Sequence, residues 1–320
     1  MRFIYRGRRH PLPAIRRLRQ VGERAGADRD PDIPLDVTHV FIDGSIDAVP
    51  EGAFREHPNI EEVFFHDNVE RIEDYAFTCC PRLKKVVMPG VKSTGRYTFG
   101  GCLHLTDVQC DKLGFIDDST FFECRSLRSI NLPSVEIVKV GAFTYCTALT
   151  DAKLSNKLER IEDGAFLNCR SLERITIPLK DGLITDNAVF TGCDNLKHVD
   201  LVEGAVHETI SALSLDEWRK DMNEEIDSIN QILPNAYAGF YDAFAGDDHD
   251  DGVKAHEIRR WIRSVLRKII HYQAEHQRFV NEAGSTLHHA LPHDIVMNNV
   301  LPFLELPSYT FEVEDHEEDE

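Results

Sequence analysis

The chain has 320 residues, a hydrophobic fraction of 42% and a formal net charge of −19. That apolar content is ample for a buried core, but no run approaches the roughly 18 consecutive apolar residues of a membrane-spanning helix, so a soluble chain without a membrane span is expected. The acidic excess would repel nucleic acid if it were spread evenly, yet it is concentrated: 235–252 carries Asp242, Asp247, Asp248, Asp250 and Asp251 without a Lys or Arg, and the last ten residues carry Glu312, Glu314, Asp315, Glu317, Glu318, Asp319 and Glu320.

The N-terminus has the opposite character. Arg2, Arg6, Arg8, Arg9, Arg16, Arg17 and Arg19 occur there with no acid before residue 23. No uninterrupted apolar stretch accompanies them, so a secretory signal is not expected. Residues 1–35 read as a basic disordered arm, with nuclear or organellar targeting as alternatives.

Next comes a repeat. Phe54, Phe77, Phe99, Phe121, Phe143, Phe166 and Phe190 are separated by 23, 22, 22, 22, 23 and 24 residues, a period typical of leucine-rich solenoids. Six residues after each Phe stands Ile60, Leu83, Leu105, Leu127, Leu149, Leu172 or Leu196. Three further on stands Val63, Val86, Val108, Ile130, Ala152, Ile175 or Val199, and two beyond that Phe65, Met88, Cys110, Leu132, Leu154, Ile177 or Leu201. Side chains two apart share one face of a strand, so each repeat should supply one short strand with those two columns facing inward. Val37, Val40 and Ile42 form a half-repeat ahead of the first full one. Eight parallel strands at about 4.8 Å spacing predict a sheet roughly 34 Å long. The solenoid is assigned to 36–202.

Cys80, Cys102, Cys124, Cys146, Cys169 and Cys193 share the slot three after the Phe, where the first full repeat has His57. A column spreads its members along an axis, whereas a metal needs ligands converging on a point, so no metal is expected. Parallel Cβ vectors also suit a disulfide poorly. The column reads as reduced thiols acting as small hydrophobes, which points to a reducing, cytoplasmic location.

With Pro89, Pro133 and Pro178 directly after strands, these columns resemble the BspA-type leucine-rich-repeat family. The stretch from Cys169 through Leu172, Ile175 and Ile177 to Pro178 carries the resemblance, as does Leu158 through Ile161 to Ala165 and Phe166. The resemblance implies a curved solenoid with a parallel concave sheet and a binding role, and it supplies no catalytic residue. Thr94 and Thr185 replace the usual Ile, which puts the second strand of those two repeats in question.

The positions eight and ten after each Phe should face outward: Glu62 and Phe64, Lys85 and Val87, Asp107 and Gln109, Ser129 and Asn131, Asp151 and Lys153, Arg174 and Thr176, His198 and Asp200. Four acids against three bases leave this face near neutral, unlike a phosphate-binding groove. With the apolar pair Phe64 and Val87 it suits an unidentified protein partner. The same charges could also serve solubility as cross-strand ladders, worth about 0.2–1 kcal/mol per pair.

After Leu201 the periodicity becomes helical, defining an extension over 203–306 that includes an acidic linker at 235–252. Trp218, Met222, Ile226, Ile229 and Leu233 lie on one face of a helix whose start is marked by a capping box from Ser214 to Glu217 and whose end is marked by Pro234. A second helix is expected from Val253 to Ala283, basic at Arg259, Arg260, Arg263, Arg267 and Lys268. Its counterpart is acidic at Asp216, Glu217, Asp221, Glu224, Glu225 and Asp227, so an antiparallel, coiled-coil-like pairing that caps the solenoid is expected, with a membrane-surface role for the basic face as the alternative.

Asp247 to Gly252 falls short of a calcium loop because Ile258 stands where a bidentate Glu is required. His289 and His293 have no evident third ligand. Residues 291–304 resemble the opening of an F-box, which implies a ubiquitin-ligase adaptor as the alternative function. An acidic tail spans 307–320. No nucleophile triad, phosphate loop or paired carboxylate is evident, so no catalysis, cofactor or small-molecule substrate is expected. The chain reads as an α/β leucine-rich-repeat solenoid with a helical extension, acting as an interaction scaffold.

Overall fold

The structure, a computed structural model, describes residues 1–7, 29–237, 253–292, 295–296 and 301–313. Within these, the chain winds into a parallel β-solenoid of about seven turns, followed by helices. The long rungs are β1 (Arg2–Tyr5), β2 (His39–Ile42), β4 (Glu62–Phe65), β6 (Lys85–Val87), β8 (Asp107–Gln109), β10 (Ser129–Leu132), β12 (Asp151–Leu154), β14 (Arg174–Ile177) and β15 (His198–Leu201). The short rungs are β3 (Ala48–Val49), β5 (Arg71–Ile72), β7 (Ser93–Thr94), β9 (Phe115–Ile116), β11 (Ile137–Val138) and β13 (Arg160–Ile161). The short rungs form one six-stranded sheet, while the long rungs form a five-stranded and a four-stranded sheet, parted between β8 and β10.

Two expectations need correction here, and a third holds. The arm drawn over 1–35 is partly ordered, because Arg2–Tyr5 pairs in parallel with His39–Ile42 and adds a ninth long rung ahead of the half-repeat. Phe3 and Tyr5 turn inward like every other rung, which is what holds β1 in place. Thr94 does not abolish its strand, since the buried side chain places Oγ1 3.1 Å from Oγ1 of Thr120 and so satisfies the hydroxyl. At Thr185 the strand is indeed lost: a single bridge joins Ile161 to Ile184, and the Thr185 hydroxyl donates to the Ile161 carbonyl.

The core is a column of phenylalanine rings. Phe54, Phe77, Phe99, Phe121, Phe143, Phe166 and Phe190 are buried and stack with centroids 4.8, 5.6, 5.5, 5.2, 5.2 and 5.8 Å apart. Tyr5 closes the first end edge-on, 4.9 Å from Phe54. Truncating one such ring typically costs about 3–5 kcal/mol.

Backbone bonds accompany each ring. The Phe54, Phe77, Phe99, Phe121, Phe143 and Phe166 amides donate to carbonyls of the following repeat at 2.7–3.0 Å. The chain then turns sharply two residues past the Phe, where Glu56, Cys79, Gly101, Glu123, Tyr145, Asn168 and Gly192 all have positive φ. At Gly192 the space is also tight, because a Cβ would lie 2.5 Å from Asn168 Oδ1 and 3.1 Å from its Cα, so the Asn168 side chain would have to move to admit one.

Helices α1 (Ala205–Ala212), α2 (Asp216–Ile232) and α3 (Lys254–His288) close the other end. The predicted capping box does not form, because Leu215 occupies the N-cap while the Ser214 amide donates to Nδ1 of the buried His276 at 3.2 Å. Helix α3 runs past Ala283 to His288, with Gly284 facing the Leu301 side chain. The two helices pair antiparallel, with Lys268 Nζ 2.8 Å from Asp221 and Trp261 Nε1 donating to the Glu225 carbonyl.

Capping is chemically explicit. Asn230 Oδ1 accepts the amide of Val199 on the last rung at 2.9 Å. The buried ammonium of Lys254 donates to the carbonyls of Leu196 and Leu233 at 2.7 and 2.8 Å. Arg263 grips Asp181 with Nε 3.0 Å from Oδ1, and Arg259 donates to Asn187. Much of the basic face of α3 is therefore engaged by the chain itself rather than presented to a membrane surface.

Replacing Lys254 by Met keeps the aliphatic stem and removes one donor from each of two buried carbonyls, that of Leu233 keeping the Ala236 amide, which should cost about 1–3 kcal/mol. Chemical denaturation checks this, and an unchanged midpoint would remove Lys254 from the cap.

Candidate functional site

Parallel pairing sorts the outward side chains of the long rungs into two rows running along the solenoid axis. In one row Arg2, His39, Glu62, Lys85 and Asp107 lie side by side, and in the other Ile4, Phe41, Phe64, Val87 and Gln109 do. Beyond the interruption after β8 the rows continue as Ser129, Asp151, Arg174 and His198, and as Asn131, Lys153, Thr176 and Asp200. All fourteen residues expected on the outward face are there, and none is buried.

Charged side chains of the first row partly pair with one another. His39 Nε2 lies 3.8 Å from Glu62, Lys85 Nζ lies 3.1 Å from Asp107, and further along Arg174 reaches across to Asp200 of the second row. Lys84 bonds Glu61 at 3.1 Å beside this row and holds its carboxyl below the usual range. Such half-exposed pairs add little to stability but set a neutral border. The second row is apolar at its beginning, where Phe41 and Phe64 stack at 5.2 Å and 14°. Ile4 and Phe41 were not among the expected contacts. The signal for Phe41 was present, since the half-repeat containing Val40 and Ile42 points it outward by the same alternation. That for Ile4 was the inward alternation of Phe3 and Tyr5.

The cysteine column does different work. Each of Cys80, Cys102, Cys124, Cys146, Cys169 and Cys193 is buried and directs its thiol at the carbonyl of the phenylalanine one repeat earlier, at 3.1–3.3 Å. Burial pushes the Cys146 and Cys193 thiols up to about 12 and raises those of Cys102, Cys124 and Cys169 well above their ordinary value. These are hydrogen-bond donors rather than nucleophiles. His57 fills the same slot in the first repeat, with Nε2 3.0 Å from the Pro34 carbonyl. Among the described residues no group of three His, Cys, Asp or Glu could hold a metal, and no helix is long and apolar enough to cross a membrane.

The remaining motifs fall on the extension. Asp247 to Gly252 and His293 lie outside the described residues. Of the F-box-like stretch, Leu301 rests against Gly284 and the Leu304 carbonyl lies 2.6 Å from His276 Nε2, so these residues engage the chain's own helix.

The repeat geometry defines a leucine-rich-repeat solenoid. A family model described as a BspA-type leucine-rich repeat region matches in six copies over residues 35–135 and 114–238, and the chain belongs to that family. Similar solved structures include a leucine-rich-repeat protein of T. pallidum, 28% identical, covering 43% of this chain and 68% of that one with a TM-score of 0.41. Another is a leucine-rich-repeat protein of Bacteroides ovatus, 19% identical, covering 53% of each chain with a TM-score of 0.37. No curated protein matches the sequence.

His57 makes the first repeat sensitive to acid. Burial lowers its pKa from 6.5, so the folded chain holds it neutral. The stability it supports is complete above the unfolded value and is lost as pH falls through the lowered folded value, because the unfolded chain binds the proton first. His57→Cys should flatten the fall of Tm between about pH 7 and pH 5 relative to the parent. Parallel Tm profiles would contradict this.

Proposed function

We propose that the chain is a non-catalytic interaction scaffold that binds a protein through the outward face of its long rungs. The observation that carries this reading is the apolar row Ile4, Phe41, Phe64 and Val87, bordered by a polar row in which Lys85 pairs with Asp107 and His39 lies beside Glu62. An apolar centre with a polar rim is the composition of a protein interface, and a basic surface of the kind that phosphate backbones require is not found along either row. The polar second half of the face, including Ser129, Asn131, Asp151, Lys153, Arg174, Thr176, His198 and Asp200, would extend the contact and contribute specificity more than affinity.

The reading places the chain in a reducing, cytoplasmic setting. Six thiols that each donate their proton to a backbone carbonyl support it, since oxidation would remove every one of those donors.

Quantitative affinity purification with the parent chain and with Phe64→Glu tests the proposal. At least one protein should fall by about tenfold or more with Phe64→Glu, as expected for a buried aromatic anchor, and be unaffected by Lys157→Glu on an exposed turn. Identical recoveries from all three chains would exclude this face as the interaction surface.

A further inference from the structure

The apolar row also constrains what kind of polypeptide can lie on it. We infer that Ile4, Phe41, Phe64 and Val87 form a seat for the apolar seam of an amphipathic α-helix that crosses the long rungs parallel to the solenoid axis; this rests on the binding reading above.

Spacing carries the argument. Neighbouring rungs are about 4.8 Å apart, and the two stacked rings in the row have centroids 5.2 Å apart. Apolar residues along one side of a helix recur once per turn, about every 5.4 Å. In an extended segment the side chains of one face recur about every 6.7 Å. Over the three intervals from Ile4 to Val87 a helix drifts out of register by only about 2 Å, whereas an extended chain drifts by about 6 Å. The seat is also limited in length. The row turns polar at Gln109, and the ladder is interrupted between β8 and β10. Three intervals span roughly 14 Å, which corresponds to about ten residues, or close to three turns of helix.

Charge sets the polarity of the occupant. Lys85 with Asp107 is self-compensating along one border, as is Arg6 with Asp43 at 3.7 Å beside the other. Arg2, exposed on the outermost rung, has no ion-pair partner among the described residues. The helix therefore lies with its C-terminal end over Arg2, where the partial negative charge of the terminal carbonyls, or a carboxylate in the last turn, meets the guanidinium. Ile4 on the same rung is 56% exposed and would gain the most from being covered.

Selection of a displayed library of peptides of about 16 residues on the full-length chain tests the inference, the length allowing roughly four turns. Enriched sequences should carry apolar residues at i, i+3 or i+4, and i+7. A synthetic peptide of that pattern should lose at least about tenfold in affinity with Phe64→Glu and several-fold with Arg2→Glu, and stay within about threefold with Phe64→Leu, which keeps the apolar contact. Enrichment of apolar residues at i, i+2 and i+4 with the same Phe64 dependence would overturn the helical seat while leaving the binding face standing. Peptides indifferent to Phe64→Glu, or no enrichment at all, would overturn both. Unchanged circular dichroism of each variant establishes that a lost signal is not lost folding.

Discussion

The structure depends on the way one phenylalanine per repeat is used on every side. Its ring stacks on the rings above and below, its amide donates to the following repeat, and its carbonyl accepts a thiol from the following repeat. Around Phe121, for example, the amide reaches Ala142, while the carbonyl accepts both the Cys124 amide and the Cys146 thiol. A buried carbonyl has two lone pairs, and here both are satisfied. That explains why the slot holds cysteine, a small apolar side chain with one weak donor, six times in succession.

A column of this kind buries each turn only against its neighbours, so its ends are where it fails first. The two ends are closed by different means. At the start, β1 inserts Tyr5 against the first ring and adds a rung to the sheet. At the finish, Asn230 and Lys254 reach from the helices to the backbone of the last turn. The ion pairs between α2 and α3 then hold those two side chains in place, and the acidic and basic helix faces read from sequence become a structural clamp.

The interior of the solenoid was legible because its period is strict: seven phenylalanines, their aliphatic columns and the cysteine slot each fix a position in a turn. The outward face followed from the same alternation. What escaped notice has local causes. Arg-Phe-Ile-Tyr at the start lacks the other columns and sits among arginines, so its strand has no repeat context. Ser214 and Glu217 have the spacing of a capping box, but His276, 62 residues away, captures Ser214 instead. Long-range contacts of this kind leave no periodic trace.

The open face is a consequence of this interior. Because every inward position is filled by the column, the alternate residues of each rung are forced outward, where Phe41 and Phe64 stack without a cover among the described residues. Amide hydrogen exchange on the parent chain tests the central claim most directly. The amides of Phe54, Phe77, Phe99, Phe121, Phe143 and Phe166 should be among the slowest in the chain and should exchange together, as one cooperative unit. Fast exchange of these amides, at rates typical of exposed turns, would contradict the continuous column.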